Sequence, residues 1–348
     1  MLVPGELNTR TGGYIYDRNI VEGLRRIGWQ VDVDSLDSSF PYPTANALSH
    51  ARDILKSISS ERIVVIDGLA LAGLHPLLQA EATRLRLVAL IHHPLAMETG
   101  LDENTARRLR ESERDSLALV RCVIVTSKWT SRILSGSDYG VAADRTFVVE
   151  PGVNASRTMR SSLDRGDGTL NLVCVATLAA RKGHAVLFEA LARLRERNWR
   201  LRCVGSMQRD PATAEALREQ VRTLGLVDRI ELLGELDDAA LQQEYQRADA
   251  FVLASYIEGY GMALAEAAVC GLPIISTLAG AIPENVSSKA GLLVPPGNVE
   301  ALAEAIARVH DDAGLRRQLA MNALAARNEL PSWRDSTQCF AAALKDLL

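Results

Sequence analysis

The chain has 348 residues, 47% of them apolar and 24% charged, which is the profile of a soluble globular protein with length enough for two cores. Lysine and arginine total 39 against 43 acidic residues, a net charge of −4, which argues against the concentrated basic face of a nucleic-acid binder. No apolar run approaches the ~20 residues of a membrane span, and Met1 leads straight into Leu2-Val3-Pro4-Gly5 without a signal-peptide pattern. The expected location is therefore the cytoplasm, with the inner face of a membrane as a peripheral contact.

The first strand is short, because Pro4-Gly5 follows only three residues. A polar loop then reaches Gly12-Gly13-Tyr14 and a helix in which Ile20, Leu24 and Ile27 recur at helical spacing. Paired glycines at a helix start offer backbone N–H donors to phosphate. The absence of G-x-G-x-x-G spacing argues against a dinucleotide site, and a flexible loop has the same composition. Further β-rich runs follow at 31–36, 62–67, 85–92, 121–127 and 146–149. Several are apolar nearly end to end, as parallel strands covered on both faces are. The run at 85–92 ends at His92-His93-Pro94. A histidine at a strand's carboxyl end can orient a sugar hydroxyl or share its proton; a satisfied structural histidine is the commoner fate and suits His93. The run 107–115 mixes Arg107, Arg108, Arg110 and Arg114 with Glu111, Glu113 and Asp115, which reads as a solvated helix face rather than a lipid-binding one.

Pro151-Gly152-Val153 closes this series, and a polar stretch rich in Ser, Arg, Asp and Gly follows. A second series has strand-like runs at 170–177, 201–205, 229–233, 250–254, 273–277 and 292–294, with helical spacing at Leu187, Leu191, Leu194 and again at Leu302, Ile306, Val309. Repeated β-α alternation predicts an α/β fold with parallel sheets, and two series predict two Rossmann-like domains. The expected boundaries are 1–153, a linker at 154–168, 169–328, and a C-terminal helix at 329–348.

Two segments of the second series carry chemistry. In Ala-Ser-Tyr-Ile-Glu-Gly-Tyr-Gly-Met-Ala-Leu-Ala-Glu, 254–266, a strand ends, Gly259 and Gly261 allow a tight turn, and a helix starts near Met262. Such a helix start can hold phosphate. Glu258 lies before the turn and Glu266 one turn inside, so each can accept hydroxyl hydrogen bonds from a sugar on either side of a diphosphate. A plain strand–turn–helix with surface glutamates has the same spacing. The other segment, Arg181-Lys182-Gly183, follows a strand and opens a helix. Two cations there can neutralise a leaving diphosphate, or form a solvated loop pair.

Five cysteines, 122, 174, 203, 270 and 339, form no C-x-x-C pair. They read as small buried hydrophobes in a reducing compartment, with metal binding or a redox pair as the alternative. No nucleophile elbow, Cys–His signature or P-loop occurs.

Together these residues resemble the retaining glycosyltransferase family 4, of GT-B fold, over nearly the whole chain. Glu258 and Glu266 look like the family's E-x7-E pair, amid Gly259, Gly261, Gly271-Leu272-Pro273, Gly280 and Pro283-Glu284. Gly12-Gly13 and His92 resemble first-domain features, and Trp333 with its helix resembles a C-terminal helix returning to the first domain. The resemblance implies a nucleotide-diphosphate sugar donor in a cleft between domains, transfer of a hexose-type sugar with retention, and neither metal nor cofactor. It implies that Lys182 and Arg181 hold the diphosphate, with Gly12 and Gly13 bordering it. Glu266 would bind ribose, while Glu258 and the N–H groups near Gly261, Met262 and Ala263 would bind the transferred sugar. His92 would position hydroxyls, and Gly234, Glu235 and Leu236 would lie near the base. Thr177 stands where many members carry arginine, so Arg181 is expected to compensate. The acceptor stays open among glycan, lipid and small molecule. An epimerase or phosphorylase of the same fold, or a non-catalytic nucleotide-sugar-binding protein, are the rival readings. Lys182→Ala and Glu266→Ala are expected to lose transfer while staying folded.

Overall fold

A computed structural model describes residues 1–154 and 168–347. The expected linker at 154–168 therefore lies almost wholly outside the described residues. The chain divides into two compact units, one made of Met1–Gly152 with Pro331–Leu348, the other of Val153–Leu330.

The first unit contains β1 (Leu2–Pro4), β2 (Asp34–Leu36), β3 (Ile63–Asp67), β4 (Arg86–Ile91), β5 (Cys122–Val125) and β6 (Thr146–Val148). They form one parallel sheet in the order β2-β1-β3-β4-β5-β6. The inner strands are buried but for the first residues of β3 and β4, and fully so in Cys122-Val123-Ile124-Val125, because helices cover both faces and leave no polar side to alternate. Where the run at 31–36 suggests a six-residue strand, only Asp34–Leu36 pairs, since the edge position has a neighbour on one side only. The helix Trp333–Lys345 buries Phe340 and Leu344 in this unit and starts with a reciprocal cap between Ser332 and Asp335.

The second unit contains β7 (Leu170–Val175), β8 (Trp199–Val204), β9 (Ile230–Gly234), β10 (Ala250–Val252), β11 (Ile274–Thr277) and β12 (Gly291–Val294). Its sheet is also parallel, in the order β12-β11-β10-β7-β8-β9. Its core gathers Phe188, Trp199, Tyr245, Phe251 and the aliphatic faces of the covering helices. Two six-stranded parallel sheets with helical layers are the expected α/β, GT-B class.

The charged run at 107–115 needs one correction. It lies in the helix Glu103–Leu119, but Glu113 is buried rather than solvated. Its carboxylate accepts from the backbone N–H groups of Leu95 and Ala96 and from the Tyr139 hydroxyl. It ties down the turn after His92-His93-Pro94, a task that charge patterning alone does not reveal. No helix among the described residues is long and apolar enough to cross a membrane.

Candidate functional site

In open parallel sheets, ligands sit outside the carboxyl ends of the strands, where the strand order reverses. In the second unit that place lies between β7 and β10. From it β8 and β9 extend the sheet one way, β11 and β12 the other.

The loops leaving β7 and β10 carry the residues singled out above. After β7 the chain makes a short 3-10 turn, Ala180–Lys182, and turns left-handed at Gly183, with φ of 67°. A Cβ at Gly183 would overlap the carbonyl of Ala254, so only glycine permits this approach. After β10 the loop ends at Gly261, φ 90°, which opens the helix Met262–Val269 without any side-chain cap. The two loops are joined by a hydrogen bond from the Tyr256 N–H to the Arg181 carbonyl, 2.8 Å.

Across this junction the Lys182 ammonium donates to Glu258 Oε1 at 2.5 Å, and the Ser255 hydroxyl donates to the same oxygen at 2.6 Å. Glu258 is only 6% exposed. Burial pushes its pKa up, but the charges of Lys182 and Arg181 and the two hydrogen bonds outweigh that and hold it below the ordinary carboxylate value. Arg181 thus bears on the same carboxylate as Lys182, although Thr177 occupies the earlier position. The Thr177 backbone carbonyl accepts from the N–H of Ala179, a local turn contact.

Glu266 is half-buried and accepts from the Tyr245 hydroxyl at 2.9 Å. The structure therefore gives the two glutamates different partners. One is a charge-paired carboxylate at the loop junction; the other lies on the helix, oriented by a neutral hydroxyl. Met262 and Ala263 form the first turn of that helix. Gly234 ends β9, at the sheet edge two strands from β7, left-handed at φ 73°, and Glu235 and Leu236 follow it. Ser255 and Tyr245 escape sequence reasoning, since their partners lie far along the helix or around the loop.

The first unit has its own reversal between β1 and β3. The helix Gly12–Arg26 follows β1, Asp67 ends β3, and His92 follows β4. His92 Nε2 lies 3.2 Å from Asp17 Oδ1 and 3.6 Å from Asp67 Oδ2. Asp17 is wholly buried, with its second oxygen unpartnered, while Asp67 also caps the next helix through the Leu69 N–H, 2.7 Å. The ring meets Tyr16 edge-on, centroids 5.4 Å apart, and its carbonyl accepts from Thr126. A Cβ at Gly13 would come 3.2 Å from the imidazole, so glycine lets the helix start against the ring. Gly12 is exposed at the same helix start.

Burial disfavours the charged imidazole, yet the Asp17 charge and the hydrogen bonds of Asp17 and Asp67 push His92 up to about 10. Burial, opposed by His92, pushes Asp17 up to about 7. The direction that follows from the geometry is an imidazolium held between two buried carboxylates. It can donate a strong hydrogen bond or stabilise developing negative charge. Asp17 had a legible signal: it lies one helical turn after Gly13, on the same face. Asp67 had none.

Residues 169–312 match the family Glycosyl transferases group 1. The chain is 28% identical over 313 residues, 85% of its length and 73% of the relative's, to a protein named MMP alpha-(1->4)-mannosyltransferase from Mycolicibacterium hassiacum. It is 27% identical, over 94% of its own length and 86% of the relative's, to a GDP-mannose-dependent alpha-(1-6)-phosphatidylinositol monomannoside mannosyltransferase from Mycolicibacterium smegmatis. A D-inositol 3-phosphate glycosyltransferase from Actinosynnema mirum is 31% identical, over 59% of this chain and 52% of its own. In fold the chain is similar to a sucrose-phosphate synthase from Thermosynechococcus elongatus, TM-score 0.84 at 20% identity, covering 99% of this chain and 98% of the other. Anabaena HepE, solved with UDP-glucose, gives a TM-score of 0.75 at 20% identity, covering 99% of each chain. The match over residues 169–312, the relatives and the GT-B fold together support a family 4-type glycosyltransferase.

Proposed function

We propose that this glycosyltransferase moves a hexose-type sugar from a nucleotide-diphosphate donor to an acceptor hydroxyl, with retention at the anomeric carbon and without metal. The observation that carries the reading is the Lys182–Glu258 pair at the strand-order reversal of the second unit, beside the uncapped helix start at Met262. A cation next to helix N–H groups suits a leaving diphosphate. Glu258 and Glu266 suit hydroxyls on either side of it. The family resemblance implies transfer on one face without a protein nucleophile, with a donor phosphate oxygen taking the acceptor proton. The imidazolium of His92 positions hydroxyls.

The names of the relatives order the panel of substrates. GDP-mannose and UDP-glucose head the donors, and inositol phosphates and phosphatidylinositol mannosides head the acceptors. The test is a thermal-shift screen of GDP-, UDP-, ADP- and TDP-sugars, followed by transfer assays with NMR of the product's anomeric proton. A donor at 100 times its dissociation constant should stabilise the fold by about 2.7 kcal/mol. Transfer should give a product of the donor's own anomeric configuration, at a rate unchanged by added Mg2+ or Mn2+. Inversion, or an absolute need for either ion, would overturn the mechanism. Sugar released as a phosphate ester, or a donor altered without any acceptor, would point to a phosphorylase or an epimerase.

A further inference from the structure

The second unit holds a polar cluster in its core that sugar transfer does not use. Cys174 of β7 and Cys203 of β8 are directly paired across adjacent parallel strands, so their side chains share one face of the sheet. On that face lies His184, the first residue of the helix His184–Ala192. The three are 0%, 0% and 2% exposed. Cys174 Sγ lies 3.6 Å from His184 Nε2, and the two sulfurs and the imidazole nitrogen all fall within 4.8 Å of one another.

We propose that Cys174, Cys203 and His184 form a structural site for a thiophilic divalent ion, zinc first. The argument is one of distances and of ligand chemistry. Around tetrahedral zinc, a sulfur at about 2.3 Å and a nitrogen at about 2.0–2.1 Å stand about 3.6 Å apart, and two sulfurs about 3.8 Å. The Cys174–His184 pair already has that separation, and the others need close by no more than about 1.2 Å. Two thiolates and an imidazole form a soft donor set that favours zinc over magnesium or calcium. His184 Nε2, the nitrogen that faces the two sulfurs, meets only the Cys174 thiol at 3.6 Å. A metal bond there would replace this weak contact with a strong one.

The site would act on the proposed donor loop through its anchorage. Cys174 lies near the end of β7 and His184 two residues after Lys182, so one ion would tie together both ends of the loop that carries Arg181 and Lys182. It supplies no catalytic chemistry there. Because the ligands are buried, loading would accompany folding.

The test is metal content and spectroscopy of the whole chain, purified without a metal-affinity step and refolded under reducing conditions with zinc or cobalt. One ion per chain is expected, with a thiolate-to-cobalt charge-transfer band and a higher melting temperature for zinc-loaded than for metal-free protein. Cys203→Ala should abolish the band, while Cys270→Ala and Cys339→Ala should keep it. Wild-type chain that refolds but takes up neither ion would overturn the proposal without recourse to variants. So would a Cys203→Ala band equal to that of wild type, or a Cys174–Cys203 disulfide as the stable state under those conditions. None of these outcomes bears on donor transfer, which is read separately.

Discussion

At the scale of single residues, the structure changes what substitution of Lys182 should do. The sequence suggests a surface cation whose removal spares the fold. Instead Lys182 neutralises a carboxylate that is almost fully buried. Removing one partner of a buried pair leaves the other uncompensated, at a cost on the order of 3–5 kcal/mol. Lys182→Ala should therefore lower the urea midpoint as well as transfer, whereas Lys182→Ala combined with Glu258→Gln should regain much of the stability and none of the activity. A double variant no more stable than the single one would show that the pair contributes little. Glu266→Ala, which removes a half-buried carboxylate that accepts from the Tyr245 hydroxyl, should stay folded and lose most transfer. The depressed pKa of Glu258 also has a sign: its stabilisation is present above the ordinary carboxylate value and is lost as pH falls below it.

His92 gives a prediction of opposite sign. Its folded pKa is raised from 6.5 to about 10, so its contribution is complete below 6.5 and is lost as pH rises through 10. Asp17, raised from 3.8 to about 7, acts in the same sense, because the folded state again holds the extra proton. The wild-type urea midpoint should fall from pH 7 to pH 10 more steeply than that of Asp17→Asn. In the pH–rate profile of transfer, Asp17→Asn should move the alkaline limb toward neutrality, while Asp67 keeps part of the shift. A profile superimposable on wild type would remove Asp17 from the role of positioning residue for His92.

At the scale of elements, the two loops around β7 and β10 depend on backbone geometry as much as on charge. Gly183 combines a left-handed φ with contact to the Ala254 carbonyl, and the next residue starts a helix. Gly183→Ala should cost well over the ~1 kcal/mol of an ordinary glycine replacement and weaken donor binding. Equilibrium unfolding and donor titration of that variant would check both; an unchanged stability would mean that the loop is free to move. At this scale much was legible from sequence. Buried parallel strands such as Ile63–Asp67 and Leu170–Val175 read as continuous apolar runs, and the helix at Met262 was marked by Gly261 before it and Gly271-Leu272-Pro273 after it. What stayed hidden is contact between elements distant in sequence. Asp67 meets His92 only because β3 and β4 are neighbours, and Cys174 meets Cys203 only through the register of β7 on β8. Likewise Glu113 looked solvated because charge patterning along a helix does not report which turn of backbone lies against it.

At the scale of the molecule, the two units differ in how the chain builds them. The second is continuous from Val153 to Leu330 and has its own sheet and core. The first is completed only by residues 331–348. That segment buries Phe340 and Leu344, sets Trp333 against Tyr16, and donates from the Ser336 hydroxyl to the Glu150 carbonyl at 2.7 Å. Tyr16 in turn is the residue that packs on His92. Phe340 and Leu344 alone are worth about 1.5–3 kcal/mol each on burial, a large fraction of the net stability of a domain, about 5–15 kcal/mol. Deleting residues 331–348 should therefore unfold the first unit, or leave it marginal, while the second keeps a cooperative transition and its response to donor. Calorimetry of the truncated chain, with and without a nucleotide sugar that stabilises the full chain, separates the two. Loss of both transitions would show that the second unit does not stand alone. Survival of both would show that the helix Trp333–Lys345 is dispensable to the first unit's core.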